Sequence, residues 1–290
     1  MPSVPRSSPV DEFALAYDRM GAGPPVVLLH GWPGGRTDFR AVVPLLAGRA
    51  DVVVPDLRGF GDSDRHPADP SDAYSAAGQA RSVAGLLDEL GLGPAVLAGY
   101  DIGSRIAQAV AQQDPQRVAA LVITPPVPGV GRRVLEPDAQ REFWYQTFHR
   151  LPLAEQLLDG RPDAVRAYLR HFWDTWSAPG WSLAAEDLDA LVARYAEPGA
   201  LTASLGWYRA GAGTVARSLA ETAPEPSART AVPAHVLWPG HDPLFPRAWG
   251  DRLGEFFADV TVTDVPGSGH FVPLETPEQF AEAVLAALPG

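Results

Sequence analysis

The sequence predicts an α/β fold, in which a mostly parallel sheet has helices on both faces and is interrupted by an α-helical lid insertion. Two features of the chain lead to this prediction. Up to about residue 124, and again from about residue 230, short apolar runs alternate with segments that place apolar residues at helical spacing. Between them, residues 125–229 lose this alternation and are helical in pattern and rich in aromatic residues. We therefore expect a core formed by 1–124 and 230–290, and a helical cap, or lid, formed by 125–229.

The strands are predicted from the apolar runs. Residues 12–17 (EFALAY) alternate in polarity and precede GAGP, which is typical of an early strand followed by a hairpin turn. The other predicted strands are apolar and cover 26–29, 52–54, 95–98, 118–123, 234–238 and 260–265. Helices are predicted over 39–46 and 74–90, after Gly103, and over 275–288. Ligands of such sheets bind beyond the carboxyl ends of the strands, where we expect the lid.

Composition limits the class of partner. The 290 residues include 23 Lys+Arg and 35 Asp+Glu, and this net charge of -12 argues against nucleic acid and anionic membranes as partners. The absence of cysteine excludes disulfides, thiol nucleophiles and thiolate metal sites. No apolar signal core or membrane-spanning run is found, so a cytoplasmic location is expected. A neutral or apolar small molecule suits this composition best.

The stretch at 95–113 carries the strongest chemical signal. A short apolar strand leads into the motif GYDIG at 99–103, and a segment with helical spacing follows. This order is that of a nucleophile elbow, in which small residues on either side of the apex let strand and helix approach closely. Asp101 stands at the apex, where a carboxylate can attack an electrophilic carbon and form an ester. The alternative is an ordinary turn in which glycine and aspartate have no chemical role.

A carboxylate nucleophile also needs backbone donors for the oxyanion that forms when its ester is hydrolysed. The loop HGWPG at 30–34 follows the second predicted strand. We expect the N–H groups of Trp32 and of Ile102, the residue after the nucleophile, to be these donors. His30 is expected to orient the loop and not to take part in catalysis.

A histidine and an aspartate in later loops complete the predicted set. His270 lies in GSGHF at 267–271, after the last predicted strand, where it is well placed as a general base. Asp242 follows the preceding strand and can fix the tautomer of His270. Taken singly, His270 could be a capping or surface histidine, and Asp242 an Asx turn before proline. The order Asp101, Asp242, His270, each just after a predicted strand, favours catalysis, and no motif for a metal or a cofactor is found, so neither is expected.

These motifs give the whole chain a resemblance to the α/β-hydrolase fold. With aspartate in the elbow, it is similar to the epoxide hydrolases and to the haloalkane and haloacetate dehalogenases. HGWP at 30–33 resembles the oxyanion motif of the epoxide hydrolases. Tyr145-Gln146 followed by PLAE at 152–155, and Tyr208 within GWYR at 206–209, resemble the two lid segments that carry their epoxide-activating tyrosines. The resemblance therefore implies that Tyr145 and Tyr208 hydrogen-bond the epoxide oxygen, a task for which a phenol is suited. Buried tyrosines that only pack as aromatic rings are the alternative.

The resemblance implies a cofactor-independent enzyme that converts an apolar epoxide and water into a vicinal diol. The aromatic lid suggests a bulky substrate, and the residues expected to line its site are Phe143, Trp144, Trp207 and Phe271. The oligomeric state is left open, a homodimer included.

Departures from the family pattern bear on the alternative reaction. Ile102 stands where epoxide hydrolases and haloalkane dehalogenases usually carry a tryptophan whose indole helps to hold halide. Haloacetate dehalogenases carry two arginines near the nucleophile for the substrate carboxylate. Here Arg105 matches one of them and Ile102 replaces the other. The alternative role for Arg105 is a structural ion pair on the elbow helix. A dehalogenase that uses the same triad remains the alternative enzyme. A ligand-binding protein that has lost catalysis is the alternative of another class, although such proteins generally lack a triad member.

Overall fold

Short runs of valine, leucine and alanine form the sheet at the centre of the protein, which a computed structural model describes for residues 4–289. The sheet has seven strands in the order β1-β3-β2-β4-β5-β6-β7. The first strand is antiparallel to its neighbour and the other six are parallel, which confirms the predicted mostly parallel sheet. The strands are β1 Tyr17–Gly21, β2 Pro25–Leu29, β3 Asp51–Pro55, β4 Ala95–Gly99, β5 Val118–Ile123, β6 Ala234–Pro239 and β7 Val260–Val265.

The first strand is where the prediction was wrong. Residues 12–16 are not a strand, because Asp11 and Glu12 turn the chain with positive φ and Val10 bridges back to Phe13. The strand begins at Tyr17, and it pairs antiparallel with β3 and not with β2, so there is no hairpin at this point. Since β1 is an edge strand with mostly exposed residues, it lacks the apolar pattern that reveals the other strands.

Helices cover both faces of the sheet. Among the helices outside the segment between β5 and β6, α3 packs beside α4, and α1 packs beside α14. The predicted closing helix is divided at Pro277, since proline is favoured at the first position of a new helix. The core helices are α1 Val43–Leu46, α2 Pro70–Ala73, α3 Ala76–Glu89, α4 Ile102–Gln113, α13 Val272–Glu275 and α14 Pro277–Ala286. Short 3₁₀ helices cover Arg36–Phe39, Pro115–Arg117, Gly131–Leu135, Pro226–Ala228 and Arg247–Glu255.

The chain between β5 and β6 folds into eight further α-helices, which we call the cap. The longest of them, α8, buries Leu169, Phe172, Trp173 and Trp176 on one face. The cap helices are α5 Pro137–Glu142, α6 Trp144–Arg150, α7 Pro152–Leu158, α8 Pro162–Trp176, α9 Ala185–Tyr195, α10 Ala200–Ser204, α11 Gly206–Arg209 and α12 Thr214–Ala220. Within residues 4–289, no helix has both the length and the apolar character needed to cross a membrane.

The order of the strands determines where a site can form. From β2 the chain moves outward to β3, and it then returns to place β4 on the other side of β2, so the winding direction reverses between β2 and β4. Leu29 and Gly99, the last residues of these two strands, are in register. At the other pair, Pro239 and Val265 end β6 and β7 in register. The loops after these four strands therefore emerge along one edge, at the point where sheets of this kind bind ligands.

Gly103 provides a test of how closely the elbow packs. A Cβ atom at this position would lie 2.0 Å from the carbonyl oxygen of Leu29 in β2. Gly103→Ala should therefore lower the free energy of unfolding by roughly 2–3 kcal/mol, measured by chemical denaturation. Gly254→Ala is the matched control, because a Cβ atom there would have no other atom within 4 Å, and it should be close to neutral. Equal stability of the two variants would contradict the close approach of α4 to β2.

Candidate active site

Asp101 occupies the turn between β4 and α4 in a strained backbone conformation. Its φ is 48° and its ψ is -125°, a region that residues other than glycine rarely adopt. A Cβ atom on Gly99 would lie 2.8 Å from the backbone of Gly103, so both glycines are needed for helix and strand to meet here. The turn lifts the Asp101 side chain above the carboxyl edge of the sheet, and only 6% of the residue is exposed.

The loop after β2 presents a backbone donor to this carboxylate. Trp32 N–H donates to Asp101 Oδ2 at 2.7 Å. His30 holds the loop in place, since its Nδ1–H donates to Gly31 O at 2.9 Å and its Nε2 accepts from Leu57 N–H at 3.0 Å. Both ring nitrogens of His30 are thereby used, in agreement with an orienting role. In the described part of the chain, Ile102 N–H makes no hydrogen bond to the carboxylate.

His270 lies on the opposite side of Asp101, between two carboxylates. Its Nδ1–H donates to Asp242 Oδ2 at 2.8 Å. Its Nε2 lies 3.7 Å from Asp101 Oδ1 and, within residues 4–289, has no hydrogen-bond partner. Asp242 Oδ1 accepts from Leu244 N–H at 2.8 Å, so Asp242 forms the Asx turn and also orients the histidine. The arrangement leaves Nε2 directed at the space beside Asp101.

The charges around His270 decide its protonation. Burial alone lowers the pKa of the imidazole, but the charges of Asp242 and Asp101 and the hydrogen bond to Asp242 outweigh it and raise the pKa to about 10. His270 is therefore an imidazolium at neutral pH. Any reaction that removes the charge of Asp101 also removes one of the two groups that raise this pKa.

Two tyrosines of the cap face the same site. The ring of Tyr145 lies parallel to the indole of Trp32 with centroids 6.0 Å apart, and it meets the ring of Tyr208 edge-on at 5.7 Å. Burial raises the pKa of both phenols well above its usual value, and the charge of Asp101 adds to the effect on both. Each phenol therefore keeps its proton at neutral pH and can donate it as a hydrogen bond.

The four residues expected to line the substrate site occupy different positions. Phe271 is buried beside His270, with ring centroids 5.4 Å apart. Phe143 is also buried, but it contacts Phe245, whose ring in turn stacks on His270 at 6.4 Å. Phe143 thus supports the site from behind.

Trp144 and Trp207 lie elsewhere in the cap. Trp144 precedes Tyr145 in α6, and because successive helical residues point about 100° apart, it lies on the outside of the cap with 43% exposure. Trp207 precedes Tyr208 and lines a separate cleft of about 350 Å³ together with Arg105. The rings of the neighbouring tyrosines, Tyr145 and Tyr208, face Trp32. A substrate-lining role for the two tryptophans stays a prediction.

Arg105 is engaged in a buried ion pair. It contacts Glu221 at 3.2 Å and donates to Val127 O at 2.9 Å. Glu221 directly follows α12, the last helix of the cap, so the ion pair joins α4 to the segment that leads from the cap back to the core.

A comparison with family models gives a match to the alpha/beta hydrolase fold over residues 24–277. The chain belongs to the alpha/beta hydrolase fold family. Among curated proteins, this hydrolase is 28% identical over 291 residues to the soluble epoxide hydrolase of Corynebacterium sp. (strain C12), covering 95% of this chain and 94% of that protein. It is 31% identical over 199 residues to the fluoroacetate dehalogenase of Burkholderia sp., covering 67% of this chain and 64% of that protein.

Solved structures extend the similarity over the whole length of the hydrolase. The crystal structure of Epoxide Hydrolase A from Mycobacterium thermoresistibile matches with a TM-score of 0.80 and 26% identity, over 100% of this chain and 99% of that chain. The relatives of this hydrolase therefore include proteins named as epoxide hydrolases and a protein named as a dehalogenase.

Several residues around the site of this hydrolase were not singled out from the sequence. Phe172 and Trp176, one helical turn apart in α8, contact the ring of Trp32, and Trp176 also contacts that of His270 at 5.1 Å. His149 is fully buried against Trp32 and Tyr208. The aromatic spacing of α8 was visible in the sequence, but which of its rings reach the elbow depends on the angle at which the helix crosses the core.

The protonation of His270 provides a test of the site's electrostatics. In the unmodified protein, the imidazole should stay protonated through neutral pH and lose its proton only as the pH rises toward about 10. Asp101→Asn removes one of the two carboxylates that raise the pKa, so His270 should lose its proton at lower pH. ¹⁵N NMR titration of the ring nitrogens measures this. Asp264→Asn removes an exposed carboxylate of β7 as a control. An unchanged pKa in Asp101→Asn would contradict the arrangement.

Proposed function

We propose that this hydrolase is an epoxide hydrolase, which converts an apolar epoxide to a vicinal diol through an ester with Asp101. The observation that carries the proposal is the placing of a carboxylate at a nucleophile elbow near two buried phenols. The rings of Tyr145 and Tyr208 both lie 6.0 Å from that of Trp32, whose N–H binds Asp101. A carboxylate alone suits several substitutions. A pair of proton-bearing phenols suits a leaving group that stays attached and becomes an alkoxide.

The first step is ring opening. Asp101 Oδ1 attacks one epoxide carbon, because Oδ2 is already bound to Trp32 N–H. The carbon–oxygen bond of the ring breaks, and the developing alkoxide takes a proton from Tyr145 or Tyr208 while the other phenol donates a hydrogen bond to it. Such positioned acids matter because an alkoxide is otherwise a poor leaving group.

Formation of the ester prepares the second step. It converts the Asp101 carboxylate to a neutral group, so the pKa of His270 falls toward its ordinary value and the imidazolium releases its proton. This proton passes to the tyrosinate that the first step left and restores the phenol. His270 becomes a base at the stage when water must be activated, with Asp242 still holding its Nδ1–H at 2.8 Å.

The second step is hydrolysis of the ester. His270 Nε2 takes a proton from water, and the hydroxide attacks the carbonyl carbon of Asp101. The carbonyl oxygen, which is Oδ2, becomes an oxyanion held by Trp32 N–H. Collapse breaks the bond between this carbon and the ester oxygen Oδ1, the diol leaves with a proton from His270, and the new acid returns a proton to the imidazole.

Dehalogenation is the second candidate, favoured by the similarity to the fluoroacetate dehalogenase. Two features weigh against it. Ile102 has no N–H side chain to hold a halide, and the Arg105 guanidinium is occupied by Glu221 and Val127 O. Release of halide from haloalkanes or haloacetates, with no diol from epoxides, would favour this reaction over ours.

Removal of the phenol hydroxyls tests the first step. Tyr145→Phe and Tyr208→Phe should each slow diol formation from styrene oxide by roughly 10²-fold, since each removes a positioned donor. Diol detection by chromatography measures the rates. Tyr168→Phe removes the hydroxyl of another cap tyrosine, which contacts His149, and should keep most of the activity. Full activity in both single variants would exclude the epoxide-activating roles.

Removal of the base tests the second step. His270→Gln should still form the ester but should not hydrolyse it, because His270 acts only after Asp101 has reacted. Intact-protein mass spectrometry should show an adduct of the substrate's mass, mapped to the peptide that contains Asp101. His241→Gln, an exposed histidine in the loop after β6, is the control and should turn over normally. An unmodified His270→Gln protein under saturating epoxide would argue against the covalent mechanism.

A further inference from the structure

Glu275, at the end of α13, ties together main-chain segments from the core and the cap. Its Oε2 accepts from Gly269 N–H at 2.8 Å, and its Oε1 accepts from Phe271 N–H at 2.9 Å. These two donors flank His270. The same Oε2 also accepts from Ala178 N–H of the cap at 2.7 Å. One half-buried carboxylate thus binds the loop that carries His270 and the cap segment that follows α8.

A second connection runs directly between the two segments. His270 N–H donates to Trp176 O at 2.8 Å, at the end of α8. The contact leaves no room for a side chain at Gly269, where a Cβ atom would lie 2.4 Å from Trp176 O and 2.5 Å from Ala178 N. The main chain at Gly269 and His270 is therefore in direct contact with the main chain of the cap at residues 176–178. We call these four hydrogen bonds the strap.

The core residues Asp101, Trp32 and Asp242 do not depend on the strap for their positions. Asp101 is placed by the turn between β4 and α4, and Trp32 N–H by the loop after β2, both within the core. Asp242, also in the core, orients the imidazole ring but not the backbone that carries it. Among the core residues of the site, His270 receives its main-chain position from contacts with the cap. Tyr145 and Tyr208 belong to the cap itself, which is also held to the core by the hydroxyl of Tyr195, bonded to Gly34 N–H and O at 3.0 Å.

We propose that Glu275 is a positioning residue for the hydrolytic step, which holds the His270 loop to the seated cap so that the base stands in place over the Asp101 ester. This inference rests on the proposed two-step function. The proposed role affects the two chemical steps differently. Ring opening uses groups that the four bonds of the strap do not contact, whereas hydrolysis needs Nε2 of His270 at a fixed distance from the ester. Displacements of about 1 Å are enough to cost a reaction roughly 10²-fold.

Helix capping is the competing role for the same carboxylate. The bond from Phe271 N–H to Glu275 satisfies a free donor at the start of α13, as capping residues do. Capping alone predicts lower stability and no preference for either chemical step. The bonds to Gly269 and Ala178 reach outside the helix, and they are the reason to expect a kinetic effect.

The experiment compares Glu275→Gln and Gly269→Ala, which disturb the strap from its two sides, with Glu278→Gln, an exposed glutamate of α14, as the charge control. With styrene oxide, both strap variants should lower kcat by roughly 10- to 100-fold. KM should fall by the same factor, because slower hydrolysis leaves kcat/KM, which reports ring opening, within about twofold. Mass spectrometry of quenched reactions should show a larger alkylated fraction at Asp101 than in the unmodified protein. Glu278→Gln should match the unmodified protein.

Other results would overturn the inference. If kcat and kcat/KM fall together with no gain in the alkylated fraction, Glu275 supports the fold and not the hydrolytic step. If both strap variants behave as the unmodified protein does, the strap does not position the base. Thermal unfolding of each variant shows whether the protein is folded at the assay temperature. Failure of the proposed function is a separate result: no diol from any epoxide and no adduct in His270→Gln.

Discussion

The strained turn at Asp101 is the constraint on which the rest of the site depends. A residue with φ of 48° holds its side chain above the sheet only while the strand and helix on either side stay in close contact. Gly99 and Gly103 allow that contact, and the register of β2 with β4 brings Trp32 N–H to the carboxylate. The apolar residues of β2 and β4 are buried in the core, and their packing offsets the conformational strain of the Asp101 backbone.

Charge is the second principle of the site. A buried imidazole between two carboxylates is stable as a cation, and it becomes a base only when one carboxylate is neutralised. In the proposed mechanism, the order of the steps follows from this coupling, because the nucleophile's own reaction frees the base. The surrounding rings of the cap, among them Phe172 and Trp176, keep water away and make these charge effects large.

The sequence predicted the buried parallel strands well, because short apolar runs bounded by turn residues are typical of them, and β5 matches the predicted bounds. The sequence also predicted the bounds of β7, although Val265 is the one buried residue of this edge strand. It failed at β1, whose exposed residues carry no apolar pattern and whose partner is distant in sequence. Motif order brought Asp101, Asp242 and His270 together as expected. It could not separate Tyr145 from its neighbour Trp144, since one step along a short helix decides which of them points inward. Glu275 had no signal of its own, because its partners are main-chain groups, which the residue types do not reveal, and Ala178 is distant in sequence.

The cap enters and leaves the core between two strands that lie side by side, β5 and β6. An insertion with that geometry can be exchanged as a module, which is a natural route to new substrate ranges on a fixed triad. The main-chain contacts at Trp176 and Ala178 limit this freedom. Any transplanted cap must offer a carbonyl and an N–H group at those two places. When caps are exchanged among hydrolases of this fold, the match of the main chain at residues 176–178 should therefore decide whether the hybrid protein is active, whatever the aromatic content of the new cap.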